Sequence, residues 1–81
     1  MKASSTVYVG NISFYTTERQ LLDFFAACGP IANLHIGLNS VSYHPCGFCF
    51  VEYTKRSDAA LAVNTLNRSV MDGQVIRVDW D

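Results

Sequence analysis

The sequence is poor in charge. Six lysines and arginines stand against seven aspartates and glutamates in 81 residues, and the formal net charge is −1. A protein that holds many phosphates by releasing counterions usually carries a dense basic patch, and six scattered cations do not make one. Any nucleic-acid function must therefore depend on stacking and shape at one or two nucleotides, not on tracking a long backbone.

Other features are also missing. No run approaches the roughly eighteen apolar residues that a membrane-spanning helix needs, and residues 1–5 lack the apolar stretch of a signal peptide. Three cysteines, an odd number, favour a reducing compartment over a disulfide scaffold. Nucleophile-elbow, Walker and His-Glu-x-x-His patterns are absent as well, so we expect neither an enzyme nor a bound cofactor.

The composition that remains suits one small globular domain. Hydrophobic residues make up 49% of the chain and aromatic residues 12%, which is enough for a single core of two packed layers. We therefore expect one domain over residues 1–81, with its ordered core from about residue 6 to residue 80.

The stretch from Cys46 to Tyr53 is the centre of the predicted fold. Side chains alternate between the two faces of a strand, so Phe48 and Phe50 point one way and Val51 points the other. Two aromatic rings two residues apart on an open sheet face can stack flat bases. The alternative is that both phenylalanines lie in a second core.

Hydrophobic patterns and end signals predict five further elements around this strand. A capping box at Thr17–Gln20 begins the first helix and Gly29–Pro30 ends it, whereas Ser57 is the predicted cap of the second helix. The predicted order is strand Thr6–Gly10, helix, strand Ile31–Gly37, strand Cys46–Tyr53, helix to Asn67, and strand Gln74–Trp80.

This order predicts an α+β, ferredoxin-like βαββαβ fold. Right-handed crossovers place both helices on one face of a four-stranded antiparallel sheet, and the other face stays open. Two helices cannot also cover Phe48 and Phe50, which argues against a second core. Tyr8, Arg77 and Asp79 are predicted to share their open face.

Two segments resemble the RNA recognition motif (RRM) family. Cys46–Tyr53 is similar to the eight-residue ribonucleoprotein motif of that family, and Val7–Ile12 looks like its six-residue companion. The resemblance covers essentially the whole chain and implies single-stranded RNA binding on the sheet face. Cys46 is a departure, because the family usually has a basic residue there.

Three segments resemble one branch of the family, the small subunits of nuclear cap-binding complexes: residues 7–18, 46–53 and 76–81. This resemblance implies recognition of the 7-methylguanosine RNA cap, a heterodimer with a large helical subunit, and a role in mRNA processing in the nucleus, with shuttling to the cytoplasm as a further possibility. It implies stacking by Tyr8 supported by Phe48 and Phe50. Contacts to the base edge or phosphates are implied for Arg77, Asp79, Trp80 and Asp81.

That branch stacks the cap between two tyrosines, the second from an N-terminal extension. Only seven residues precede Tyr8 here and none is aromatic, and the arginine- and glycine-rich tail of the branch does not follow Asp81. Either the chain is trimmed or short, or Tyr43 in the loop from Leu38 to Pro45 serves as the second plate.

Two other interpretations remain open. Cys46 and Cys49 have the spacing of a zinc knuckle or redox pair, but three residues apart on a strand they face opposite ways, so we expect no metal site. An RRM that binds protein instead of RNA would also fit the low charge. Titration with a methylated and an unmethylated cap analogue distinguishes cap binding from a protein-binding function.

Overall fold

The computed structural model describes residues 5–38 and 46–81. Its main sheet contains β1 (Thr6–Ser13), β2 (Ile31–Leu38), β3 (Cys46–Tyr53) and β6 (Arg77–Trp80), in the order β2-β3-β1-β6 with every pair antiparallel. The helices are α1 (Glu18–Ala26) and α2 (Arg56–Leu66), and β4 (Val70–Met71) and β5 (Gln74–Val75) form a separate hairpin. The predicted α+β ferredoxin-like fold is confirmed.

Both helices pack on the same face of the sheet. The core joins fully buried residues of α1 and α2 to one side of the four strands. Its members are Val7, Val9, Ile12, Leu21, Phe25, Cys49, Val51, Tyr53, Ala59, Ala62, Ile76 and Val78. The opposite side of the sheet, which we call the open face, therefore carries the alternate residues of each strand.

Helix α1 begins as the sequence predicts. The Thr17 hydroxyl accepts a hydrogen bond from the Gln20 amide, and the Gln20 side chain accepts one from the Thr17 amide, at 3.2 and 2.7 Å. This reciprocal pair satisfies two backbone donors that have no partner within the helix. Because Thr17 directly follows the β1–α1 loop, the cap fixes the residue at which α1 begins.

The predicted serine cap of α2 is wrong. The helix begins at Arg56, its N-cap is Lys55, and no side chain caps it. The amides of Asp58 and Ala59 both donate to the Lys55 carbonyl oxygen, so Ser57 already lies within the first turn. Asn67 ends the helix, as predicted.

The last predicted strand is divided in two. The Ile76 amide donates to the Ser69 carbonyl oxygen at 2.8 Å, and the Ile76 carbonyl oxygen accepts from the Arg68 amide at 2.9 Å. These bonds hold Ile76 between the hairpin and the main sheet, so pairing with β1 starts only at Arg77. Strand β1 is also longer than the predicted Thr6–Gly10, since it runs to Ser13.

Strand β2 places its apolar residues unevenly. Leu34 packs against the core, as predicted, but Ile36 on the same face is 47% exposed.

Within the described residues, no helix is long and apolar enough to cross a membrane.

Candidate RNA interface

Three aromatic rings cluster on the open face: Tyr8 from β1 and Phe48 and Phe50 from β3. The Tyr8 ring centroid lies 6.1 Å from that of Phe48, with 28° between the planes, and 5.6 Å from that of Phe50. The two phenylalanine rings are 5.9 Å apart and nearly perpendicular. Tyr8 is 36% exposed and both phenylalanines are partly exposed. The predicted common, solvent-facing surface is therefore confirmed, and we call it the aromatic platform.

Two glycines make room for these rings. A Cβ atom on Gly37, the β2 partner of Phe48, would lie 2.5 Å from the far end of the Phe48 ring. A Cβ atom on Gly10 would lie 3.0 Å from the Tyr8 ring. Both rings thus lie over bare backbone, and any side chain at either glycine would push against them.

The register of the sheet places polar residues beside the platform. Tyr8 is opposite Phe50 on β3 and Asp79 on β6, and His35 of β2 is the next residue in that row. Strand pairs of this kind bring side chains to within about 5 Å at the Cβ atoms. Tyr8 and Asp79 are therefore direct neighbours on the open face.

One end of the open face is acidic. Thr6 is opposite Glu52, and its carbonyl oxygen accepts a hydrogen bond from the Asp81 amide at 3.2 Å. The alternation of β6 puts Asp81 on the same face as Asp79, and the Asp79 carboxylate accepts from the Trp80 amide at 2.8 Å. Three carboxylates thus lie along or beyond the Tyr8 row.

The other end is basic. Arg77 is opposite Gly10, one row past the Tyr8–Asp79 pair. Rows of one face are two residues apart along a strand, or about 7 Å. A ligand on the platform therefore has carboxylates towards one end of the sheet and a guanidinium towards the other.

Trp80 is the predicted site residue whose ring the structure does not bring to the platform. Its β1 partner is Val7, which faces the helices, and the Arg56 guanidinium lies 4.7 Å from the centre of its ring. Arg56 begins α2, so the Trp80 ring lies on the helix face. The ring is thus on the opposite side of β6 from the aromatic platform, and it is 37% exposed beside Arg56.

Tyr43, the candidate second stacking plate, lies outside the described residues. The sequence reasoning did not assign a function to Gly10, Gly37 or His35. Alternation already placed His35 on the open face, whereas the two glycines could be found only once the rings above them were placed.

These features define an α+β domain with an aromatic sheet face, an architecture that RNA-binding modules use to stack bases. A family model for the RNA recognition motif matches residues 7–77, and the chain belongs to that family. It is 48% identical to nuclear cap-binding protein subunit 2 of Gallus gallus and 49% identical to that of Danio rerio, in both cases over all 81 residues. The chain spans about half the length of these curated relatives, 48% and 52% respectively.

The fold is also similar to a solved RNA complex. The structure of the Rna15 RRM with bound RNA (GU) superposes with a TM-score of 0.82 at 26% identity, covering 96% of this chain and 83% of that chain. The match is in keeping with the four-stranded sheet and its open face.

Proposed function

We propose that this domain binds the 7-methylguanosine cap of RNA on its open face, as the small subunit of a nuclear cap-binding heterodimer. The observation that carries the proposal is the register of β1 and β6, which makes Tyr8 and Asp79 neighbours in one row of the sheet. It joins a ring that stacks a base to a carboxylate that reads its edge. The similarity to cap-binding subunits supports the same assignment.

The chemistry of the cap suits this pair. Methylation at N7 makes guanine cationic, and a cation over a tyrosine face gains roughly 2 kcal/mol or more when desolvated. Guanine also offers N1–H and N2–H donors, which a carboxylate of Asp79 or Asp81 would accept. Adenine has no such pair of donors in that arrangement.

We assign the remaining residues by their position. Phe48 and Phe50 support the stacked base from the β3 side, and Arg77 contacts a phosphate. Trp80 contributes through its backbone at the end of β6. Tyr43 stays a proposed second plate on the outer side of the base.

The large helical partner and the nuclear location, with shuttling as a further possibility, are part of the proposal, and the domain acts as a binding module, not an enzyme. We expect the 81 residues alone to bind cap analogue weakly. Adding the large subunit should raise the affinity by ordering the site, since a site that is only fractionally populated binds with reduced apparent affinity. Submicromolar binding by the isolated chain would contradict this part.

The test is a titration of the chain with 7-methyl-GTP and with GTP at one salt concentration. Tyr8→Ala should weaken stacking by about 1–3 kcal/mol, and more for the methylated ligand because the cation–π attraction is lost with it. Tyr15→Ala is the matched control, since Tyr15 is 87% exposed in the β1–α1 loop. Equal losses for both ligands with Tyr8→Ala would refute the cap assignment.

Asp81→Asn provides a second test, made in a chain extended past residue 81 so that the terminal carboxylate does not replace the lost charge. The substitution keeps the shape and removes a charge that complements a cationic base, so it should narrow the difference between the two ligands. Asp23→Asn, on the exposed side of α1, is its control. An unchanged difference would count against the role of Asp81.

Binding of uncapped single-stranded RNA is the second candidate, favoured by the similarity to the Rna15 RRM with bound RNA. Sheet-face rings stack any base. Equal affinity for 7-methyl-GTP and GTP, together with loss of both on Tyr8→Ala, would identify this function.

A further inference from the structure

A cavity of about 490 Å³ lies at the basic end of the open face. It is lined by Asn11 of β1, Asn67 and Arg68 after α2, Val75 of β5 and Arg77 of β6. Sites for small ligands commonly measure about 300–1,000 Å³. The cavity is thus large enough for a phosphate and part of its sugar. Of its lining residues, only Arg77 has a role in the proposed cap binding.

The cavity is cationic. Two of its lining residues are arginines and none is acidic. Within residues 5–38 and 46–81, neither guanidinium forms an ion pair with a carboxylate. In a chain with only six lysines and arginines, two of them beside one cavity form a local positive field that the net charge hides.

Arg68 is held at this cavity by an unusual backbone conformation. Its φ is 70°, a region that side chains other than glycine, asparagine and aspartate seldom adopt. The Arg68 amide donates to the Ile76 carbonyl oxygen, and the Ile76 amide donates to Ser69. The turn after α2 is therefore hydrogen-bonded to Ile76, directly before β6, and this turn carries the Arg68 side chain.

Two amides complete the lining. The Asn67 side-chain oxygen accepts from the Val78 amide at 3.0 Å, and the Asn11 side-chain nitrogen donates to the Val75 carbonyl oxygen at 2.8 Å. Both side chains are thus anchored to the β5–β6 segment. Each keeps at least one N–H for a ligand, so neutral donors lie beside the two guanidiniums.

The cavity begins one row from the aromatic platform. Arg77 is opposite Gly10, and Gly10 is two residues from Tyr8 on β1. A base that stacks on Tyr8 with its edge towards Asp79 leaves the basic end for the sugar–phosphate chain. The carboxylates at the opposite end would repel that chain.

We propose that Arg68 and Arg77, with the amides of Asn11 and Asn67, form a phosphate subsite for the RNA that follows the stacked nucleotide. Its ligand is a phosphodiester of single-stranded RNA, which an arginine fork can contact with two hydrogen bonds. This inference rests on the proposed RNA function of the platform. It adds a binding residue, Arg68, outside the sheet.

The experiment compares three probes: the cap dinucleotide m7GpppG, which has a triphosphate but no phosphodiester, a capped tetranucleotide, and the same tetranucleotide uncapped. The variant is Arg68→Gly, because glycine adopts the Arg68 backbone conformation without strain. The melting temperature should therefore stay the same or rise. Arg19→Gln is the control, since Arg19 is an exposed arginine on α1.

We expect Arg68→Gly to weaken both tetranucleotides about tenfold, the loss of one charge-assisted contact, and to leave m7GpppG unchanged. The slope of log affinity against log salt should become shallower by about 0.7, the value for one phosphate of a single strand. Unchanged tetranucleotide binding would overturn the proposal. An equal loss for m7GpppG would also overturn it, because the triphosphate would then be the ligand.

The two proposals fail in different ways. A wild-type chain with no preference for methylated guanine contradicts cap recognition, but the uncapped tetranucleotide still reports on Arg68. A methyl preference with no effect of Arg68→Gly contradicts the subsite alone.

Discussion

The two faces of β3 carry similar side chains but differ in how deeply those side chains are buried. Cys49, Val51 and Tyr53 are almost completely buried beneath the helices, whereas Phe48 and Phe50 on the opposite face stay partly exposed. Both sets are apolar, so hydrophobicity does not distinguish core from binding surface here. What differs, among residues 5–38 and 46–81, is the layer above: two helices pack on one side, whereas Tyr8, Phe48 and Phe50 contact only one another's rings on the other.

The rings on the open face lower their own solvent exposure by packing against one another. Tyr8, Phe48 and Phe50 lie within 6.1 Å of each other, centre to centre, so each hides part of its neighbours from water. A flat ligand that covers the remaining area would gain stacking energy without opening the core. Substitutions on the helix-covered face should therefore mainly lower stability, and substitutions on the open face should mainly lower binding.

The largest effect is expected from Phe25→Ala on the covered side. Phe25 is fully buried and its ring meets Phe24 edge-on at 5.3 Å. Its removal should lower the free energy of unfolding by about 3–5 kcal/mol, measured by urea denaturation. Phe50→Ala is the comparison on the open face and should cost less than half as much. Equal losses would mean that the platform is part of the core.

The next effect is on binding. Phe50→Ala should reduce affinity for a short RNA by about 1–3 kcal/mol, the contribution of one stacked base. Tyr15→Ala, an exposed aromatic away from the platform, should leave it unchanged. Fluorescence anisotropy with a labelled oligonucleotide measures both, and similar losses in the two variants would point to non-specific aromatic contacts.

Tyr53→Phe tests the polar contact within the covered face. The Tyr53 hydroxyl donates to the Phe25 carbonyl oxygen at 2.8 Å, and that oxygen also accepts from the Cys28 amide. The carbonyl keeps one partner after the change, so the loss should be about 1 kcal/mol. Urea denaturation at neutral pH measures it, and a loss above about 3 kcal/mol would contradict this accounting.

The same variant has a distinct effect at alkaline pH. Burial raises the pKa of Tyr53 well above its ordinary value, and burial raises the pKa of the Cys49 thiol to about 12. Both groups stay neutral in the folded chain and ionise earlier in the unfolded one, so stability is present at neutral pH and falls as pH rises. Tyr53→Phe should make the fall above about pH 10 less steep, and an unchanged slope would exclude Tyr53 as a cause.

The smallest effect is expected from Gly37→Ala. The added methyl group would displace the Phe48 ring, which is the end of a movable side chain, so the fold should tolerate it. Unfolding free energy should change by less than about 0.5 kcal/mol, in part because alanine restricts the unfolded chain. RNA affinity should fall by up to about 1 kcal/mol. A fall in stability with unchanged affinity would reverse this assignment.

The secondary structure was largely predictable because its signals are local. The capping box at Thr17 and the alternation of β3 each involve a few neighbouring residues, and the structure agrees with both. The cap of α2 was not predictable in this way. Ser57 has the right chemistry, but the helix already begins at Arg56 with no side-chain cap.

The sequence alone determined which residues of each strand share a face, since that follows from the two-residue period of an extended chain. It therefore determined that Tyr8, Phe48, Phe50, Arg77 and Asp79 could meet. Only the tertiary structure decided which of them became neighbours, because hydrogen bonds between strands that are distant in sequence fix the register. Those bonds put Asp79 beside Tyr8, and the bonds of Ile76 brought Arg68 to the cavity. The start of α2 brought the Arg56 guanidinium to 4.7 Å from the centre of the Trp80 ring.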